Sequence, residues 1–195
     1  MDTKQLKPLP SEALTRLLPP HYLIQALQNW KLIQEAIGLT TPENEGAIIS
    51  TVLIETARTF QPIREYGTRA YFIRNYWDKK STRDSLGNIE ADDAWRYCGR
   101  GFIQLSGRDN YLKVGRALGL DLLNHPELLL QAEPSAKALA WYWKTHSLKL
   151  MADSVPLQHS QASRDKMWAR IRKEVNGGYN GLADYLHYLD VMHIR

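Results

Sequence analysis

Residues 46 to 54 read GAIISTVLI, an almost unbroken apolar run, and residue 55 is a glutamate. Such a run has to be buried, and a carboxylate at its end is costly unless it is paired, hydrogen-bonded or put to use. Thr41-Pro42 makes a good N-cap and first-turn pair ahead of the run, and Glu43 and Glu45 favour the positive end of a helix dipole. The pattern predicts a core helix from Pro42 to about Thr59, ended by Pro62. On a helical wheel Glu55 falls about 20° from Ile48, at the edge of the stripe made by Ile48, Ile49, Val52 and Leu53. Partial desolvation there raises a carboxyl pKa, which suits a general acid. The plainer alternative is a structural ion pair with Arg58, Arg64 or another arginine.

Helical periods fill most of the remaining chain. Residues 11 to 18 predict a short helix stopped by Pro19-Pro20, and residues 21 to 37 a second one ended by Gly38. Further helices are predicted at 107 to 118, 126 to 131, 133 to 150, 160 to 175 and 180 to 191. Residues 60 to 100 have no long period and read as loops, short helices and a small β-element around Asn88 to Phe102. No repeat or linker divides the 195 residues, so the expectation is one mostly helical domain. Hydrophobic residues make up 44%, which excludes general disorder. No apolar run approaches the roughly 18 residues of a membrane span.

The N-terminal stretch MDTKQLKPLPSEALTRLL lacks the apolar core and cleavage site of a signal peptide. Cys98 is the only cysteine, which rules out an internal disulfide and reads as a small buried filler. The net charge of +4 favours anionic partners: nucleic acid, anionic lipid or the bacterial cell wall.

Several chemistries drop out. The six histidines do not fall in metal-binding spacing, one cysteine cannot build a zinc site, and GRGFIQ is neither a dinucleotide loop nor a phosphate loop. No metal or other cofactor is expected. What remains is a pair of carboxylates. Glu65 lies ten residues after Glu55, past Pro62, among Arg64, Arg69 and Arg74, which are expected to hold it ionised. Two carboxyls with opposite shifts suit glycoside hydrolysis, whereas a surface ion pair is the competing reading of Glu65.

In YCGRGFIQLSGRDNY, residues 97 to 111, two glycines flank Arg100. Gln104 and Ser106 alternate with Ile103 and Leu105, so in an extended segment both point to one side and can hold a sugar or a water. The competing reading is a polar turn into a helix capped at Ser106 or Asp109. Residues 58 to 83 hold seven Lys/Arg, one Glu and one Asp, interleaved with aromatics. That mixture suits single-stranded nucleic acid or a sugar groove, with at least half of the aromatics expected in the core. Trp141-Tyr142-Trp143 reads as core packing.

Three segments, in this order, resemble glycoside hydrolase family 19, closest to its short, lysozyme-like endolysin members. ETARTFQPIRE (55 to 65) is similar to the catalytic segment written HETGG followed by a second Glu. YCGRGFIQLSGRDNY is similar to Y-x-GRG-x-IQL-[ST]-x-x-x-NY, the most specific of the three. IRKEVNGGYNGLADY (171 to 185) is similar to the late NGG segment.

The resemblance implies a lysozyme-like α+β fold of two helical lobes flanking a cleft. It implies Glu55 as general acid and Glu65 as general base. Ser106 would hold the water, Gln104 and Asn110 would line the sugar subsite, and Asn176 would bind substrate or steady the base. The outcome would be inversion at the anomeric carbon. Glu90, Asp92 and Asp93 are reserves for the base. The chain departs from the pattern at Ile54 (usually His), at Ala57-Arg58 (usually Gly-Gly) and at Cys98 (often basic), and its glutamates are ten apart rather than nine. Residues 1 to 40 lie outside the resemblance and read as the first helices of a lobe or a docking segment.

The expected substrate is the β-1,4-linked glycan of bacterial peptidoglycan. Chitin is the alternative substrate, and an inactive carbohydrate-binding or structural module is the alternative in kind. A nucleic-acid partner is not expected, because no basic stripe lies on a regular helix. Without a signal peptide, such an enzyme would be made in a host cytoplasm. It would then reach the wall after holin release or as part of a phage tail or virion.

Overall fold

A computed structural model describes residues 10–38 and 40–195. The signal-peptide reading therefore falls partly outside the described residues. Eleven α-helices and a two-stranded ribbon are found among them. In chain order they are α1 (Pro10–Leu17), α2 (Pro20–Ile37), α3 (Pro42–Glu55), β1 (Ile63–Arg64) and α4 (Arg69–Phe72), which runs into a π-helical turn at Ile73–Trp77. Next come α5 (Lys80–Leu86), α6 (Ala91–Arg96), β2 (Arg100–Gly101), α7 (Arg108–Leu118), α8 (Ala132–Thr145) and α9 (Leu148–Asp153). The chain ends with α10 (Gln161–Asn176) and α11 (Leu182–Val191). No helix among the described residues is long and apolar enough to cross a membrane.

Helix α3 is the axis of the larger lobe. Its first turn is fastened as its residues demand: the Thr41 hydroxyl accepts from the Asn44 amide N–H at 3.3 Å, and Pro42 opens the helix. Every residue from Glu43 to Leu53 except Glu45 is buried, so this helix is covered on all sides. It packs on α9, α10 and α11, while α2 lies against α8. Asn44 locks the arrangement by accepting from Trp143 Nε1 at 3.0 Å and donating to the Lys149 carbonyl at 3.2 Å. Helices α1 and α2 supply Leu14, Leu17, Ala26, Trp30 and Ile33 to this core. Trp143 is fully buried, as expected of it.

The smaller lobe is the segment without a long period. Helix α4, the π-helical turn, α5 and α6 pack on one another, around a separate cluster of Phe72, Ala94 and Cys98. Cys98 is the buried filler its context predicts. Asp93 ties the lobe together: its carboxylate accepts from the Ile89 amide at 2.8 Å and from Arg108 Nη1 at 3.2 Å.

Several predicted boundaries differ, and the helix expected over 126 to 131 is a 3₁₀ helix at Pro126–Leu130. The helix expected over 133 to 150 is broken into α8 and α9 at Ser147, which adopts a left-handed φ of 56°. The β-element is a ribbon rather than a local structure within 88 to 102. β1 pairs antiparallel with β2, in the register Ile63–Gly101 and Arg64–Arg100. This ribbon bridges the lobes and places Glu65 at the edge of the cleft.

Candidate active site

Helix α3 stops at Glu55, four residues short of the predicted end and well before Pro62. The stop is made by Thr56. Its hydroxyl donates to the Val52 carbonyl at 2.6 Å and accepts from the Phe60 amide at 3.0 Å, bending the backbone back on itself. The Arg58 amide closes the turn on the Leu53 carbonyl at 2.7 Å. Ala57, Arg58 and Phe60 consequently take left-handed φ values of 49°, 60° and 56°. Ala57 and Arg58 stand where the resemblance has Gly-Gly, the residues that adopt this conformation without strain.

The turn leaves Glu55 as the last helical residue, with its side chain 15% exposed. Arg172 Nη1, from α10, donates to Glu55 Oε1 at 2.5 Å. Arg172 is itself 2% exposed, and its Nε donates to the Asn180 carbonyl at 2.8 Å. Both readings of Glu55 therefore hold at once: it is ion-paired, and it is desolvated. Burial raises its pKa above the ordinary value and outweighs the opposing pull of Arg172, while the charge of Glu65 adds a further push upward.

Glu65 differs from expectation in its partners. Arg64 stacks over the Trp95 ring at 3.7 Å and Arg69 pairs with Asp92, so neither serves Glu65. Its carboxylate is held by neutral donors instead: Tyr76 Oη at 2.7 Å and the Gly99 amide at 3.0 Å. Its own amide donates to the Gly99 carbonyl at 2.8 Å. Tyr76 comes from the π-helical turn, a local widening common at functional sites. Burial and the Glu65 carboxylate together raise the Tyr76 phenol, which keeps it a proton-bearing donor. The two glycines around Arg100 have separate causes. A Cβ on Gly99 would stand 2.7 Å from Gln104 Oε1 and 3.1 Å from Glu65 Oε2. Gly101 has φ of 82°, and a Cβ there would meet Ser135 Oγ at 2.6 Å.

Gln104 and Ser106 do not alternate along an extended strand. Residues 102 to 104 form a tight turn closed by the Arg100–Leu105 bridge, and Gln104 has φ of 52°. Gln104 Nε2 donates to the carbonyls of Ile63 and Gly101, both at 3.0 Å. The Ser106 hydroxyl donates to the Gln104 carbonyl at 3.0 Å, and Asn110 Nδ2 donates to the Ser106 carbonyl at 2.8 Å. With those hydrogens spent on the backbone, Gln104 Oε1 and Ser106 Oγ face a ligand as acceptors, suited to the hydrogens of a water or a sugar hydroxyl. The helix that follows begins after Gly107, without the side-chain cap expected from Ser106 or Asp109.

Glu55, Glu65, Gln104, Ser106, Asn110 and Asn176 all line one cavity of about 510 Å³. The bonds of Asn176 lead away from Glu65, however. It donates to the Asn180 carbonyl at 3.3 Å and accepts from the Gly178 amide at 3.0 Å. Asn180 is the residue that holds Arg172, so the late NGG turn steadies Glu55 rather than Glu65. The reserve carboxylates lie elsewhere: Glu90 caps α6, Asp92 pairs with Arg69, and Asp93 is buried against Arg108. Tyr76 and Arg172 are site residues that the sequence does not single out, and Tyr142, expected as core packing with its neighbours, is instead half-buried at the cavity. Tyr142, the centre of the WYW run, lines the cavity and donates to the Glu174 carbonyl at 3.0 Å.

Residues 59–177 match the family described as chitinase class I, a span that includes Glu65 and the cleft wall and begins four residues after Glu55. A glycosyl hydrolase family 19 domain-containing protein of Haemophilus influenzae is 33% identical over 97 residues, covering 49% of this chain and 40% of that one. Chitinase 8 of rice, Oryza sativa subsp. japonica, is 50% identical over 113 residues, covering 47% and 43%. The chain thus spans less than half the length of these curated relatives. A solved bacterial family 19 chitinase shares the fold, with TM-score 0.57 at 20% identity, over 95% of this chain and 94% of that one. Matched over more than half of its length by that family and sharing the fold of a solved member, the chain belongs to glycoside hydrolase family 19.

Proposed function

We propose that this chain hydrolyses β-1,4-glycosidic bonds by inversion, with Glu55 as general acid and Glu65 as general base. The observation that carries the reading is the unlike settings of two carboxyls in one cavity: Glu55 is desolvated with a raised pKa, and Glu65 is gripped by two neutral donors. Glu55 gives its proton to the glycosidic oxygen as the bond to the anomeric carbon breaks. Glu65 takes a proton from a water held at Ser106 and Gln104, and the water oxygen bonds to that carbon from the other face. Arg172 then faces a Glu55 carboxylate, so the charge created by proton transfer is stabilised in place. No cofactor enters this scheme.

Peptidoglycan is the first substrate, supported by the net charge of +4, which favours an anionic polymer over a neutral one. Chitin is the second, supported by the chitinase relatives. The test supplies purified peptidoglycan and a chitin hexamer separately, counts new reducing ends, and reads the first-formed anomer by proton NMR. The expected product is the α-anomer. A β-anomer would sink the inverting assignment, and no reducing ends from either polymer would return the chain to a binding module.

A further inference from the structure

Outside the catalytic cavity, the exposed face of α10 carries a second groove of about 700 Å³. Lys166, Arg170, Lys173, Glu174 and Tyr179 line it. The three cations recur at i, i+4 and i+7, so they stand in a row about 10 Å long on one side of the helix. This is a basic stripe on a regular helix, contrary to the expectation that the chain has none. The opposite side of α10 buries Trp168, Ile171 and Arg172.

These cations differ from the paired ones elsewhere on the surface. Lys80, Lys137, Lys149 and Arg195 each have an acidic partner. Among the described residues, Lys166, Arg170 and Lys173 make no ion pair. Lys173 rests over the exposed Tyr179 ring at 5.6 Å. Glu174, the one acidic residue in the groove, leaves an excess of two positive charges. The groove also adjoins the cleft through a shared wall. Val175 and Asn176 line the catalytic cavity, while Glu174 and Gly177, their neighbours at the end of α10, line the groove.

We propose that this groove is an auxiliary binding surface for the free carboxylates of a peptidoglycan strand whose glycan occupies the cleft. The inference rests on the glycan-hydrolase reading and narrows its substrate to an anionic polymer. A row of cations with no acidic partners attracts anions and loses little on binding them, because no existing ion pair has to be broken. The lone tyrosine offers one ring face for a sugar. Nucleic acid fits less well, because a single ring and an acidic residue make a poor platform for successive bases.

The test measures co-sedimentation with insoluble peptidoglycan sacculi, using the wild-type chain and a Lys166→Gln, Arg170→Gln, Lys173→Gln triple variant. All three side chains are exposed, so the variant keeps the core, and circular dichroism verifies this. Sacculi with amidated carboxylates and a short DNA duplex serve as comparison ligands. Binding by the variant should be about ten-fold weaker at low salt. Wild type should lose a similar factor on amidated sacculi or in high salt. Equal sedimentation of the two proteins, no sedimentation of wild type, or retention on DNA but not on sacculi would each overturn the proposal. Cleavage of the neutral chitin hexamer, followed in parallel, keeps the two readings apart. A wild type that cuts the hexamer but ignores sacculi contradicts the groove alone. A wild type that binds sacculi through these cations yet cuts neither substrate contradicts the catalytic reading alone.

Discussion

Gly99 shows how narrowly this site is built. Its missing side chain lets Gln104 Oε1 and Glu65 Oε2 approach the backbone, and its amide holds the Glu65 carboxylate. Its φ is not in the left-handed region, so Gly99→Ala adds no backbone strain and acts only by displacing those two side chains. The expected result is a fall in kcat of about 100-fold with cooperative unfolding retained. An unchanged kcat would mean that Glu65 tolerates displacement and is not the base. Glu55 makes a prediction through its pKa. Folding raises it, so the folded chain binds that proton more tightly than the unfolded one. The stability it contributes is fully present below the ordinary carboxyl range and is lost as pH rises toward the folded value. Urea unfolding of wild type and Glu55→Gln across that window should therefore show the variant gaining relative stability with rising pH. A difference independent of pH would contradict the raised pKa. Glu55 was legible from the sequence because its whole setting is one helix. Arg172, its partner, lies 117 residues away, and no local pattern links the two.

The end of α3 is the element on which the site turns. A continuous helix to Thr59 was the natural expectation from propensity, since Thr56, Ala57, Arg58 and Thr59 contain no breaker. What propensity omits is the Thr56 hydroxyl, which shares the Val52 carbonyl with its own amide and captures the Phe60 amide, so that the following residues turn into left-handed conformation. Non-glycine residues pay for that conformation, roughly 1–2 kcal/mol each. Replacing both Ala57 and Arg58 by glycine removes the strain but adds freedom to the unfolded chain, about 0.4–1 kcal/mol per site. The net expectation is a gain of about 1 kcal/mol, read as a rise in Tm of about 2–4 °C. A fall in Tm would show that the left-handed turn is held without strain. The 102 to 104 turn follows the same logic. Alternation of Ile103, Gln104, Leu105 and Ser106 suggested a strand, yet pairing of Arg100 with Leu105 closes a turn over so short a span. Gln104 and Ser106 reach the cavity by that turn and not by strand alternation.

At the scale of the whole molecule, helical content and a single main core were readable because the periods at 21 to 37, 42 to 53 and 160 to 175 are long and cleanly capped. Residues 60 to 100 were not, because a lobe of four- to seven-residue helices around Phe72, Ala94 and Cys98 is set by tertiary packing rather than by periodicity. That lobe also supplies Tyr76 to the Glu65 carboxylate. The architecture then has a clear division of labour. The larger lobe aims and desolvates Glu55 through α3 and α10, and the ribbon and smaller lobe orient Glu65, with the cavity between them. The most direct measurement of this account is hydrolysis of peptidoglycan and of a chitin hexamer by wild type and by Glu55→Gln, with folding verified by circular dichroism. Glutamine keeps the size of the side chain and can still accept from Arg172, but has no acidic proton to give. The account predicts turnover by wild type and a loss of at least about 100-fold in the folded variant. Equal turnover by the two proteins would make Glu55 a structural partner of Arg172 and contradict the mechanism.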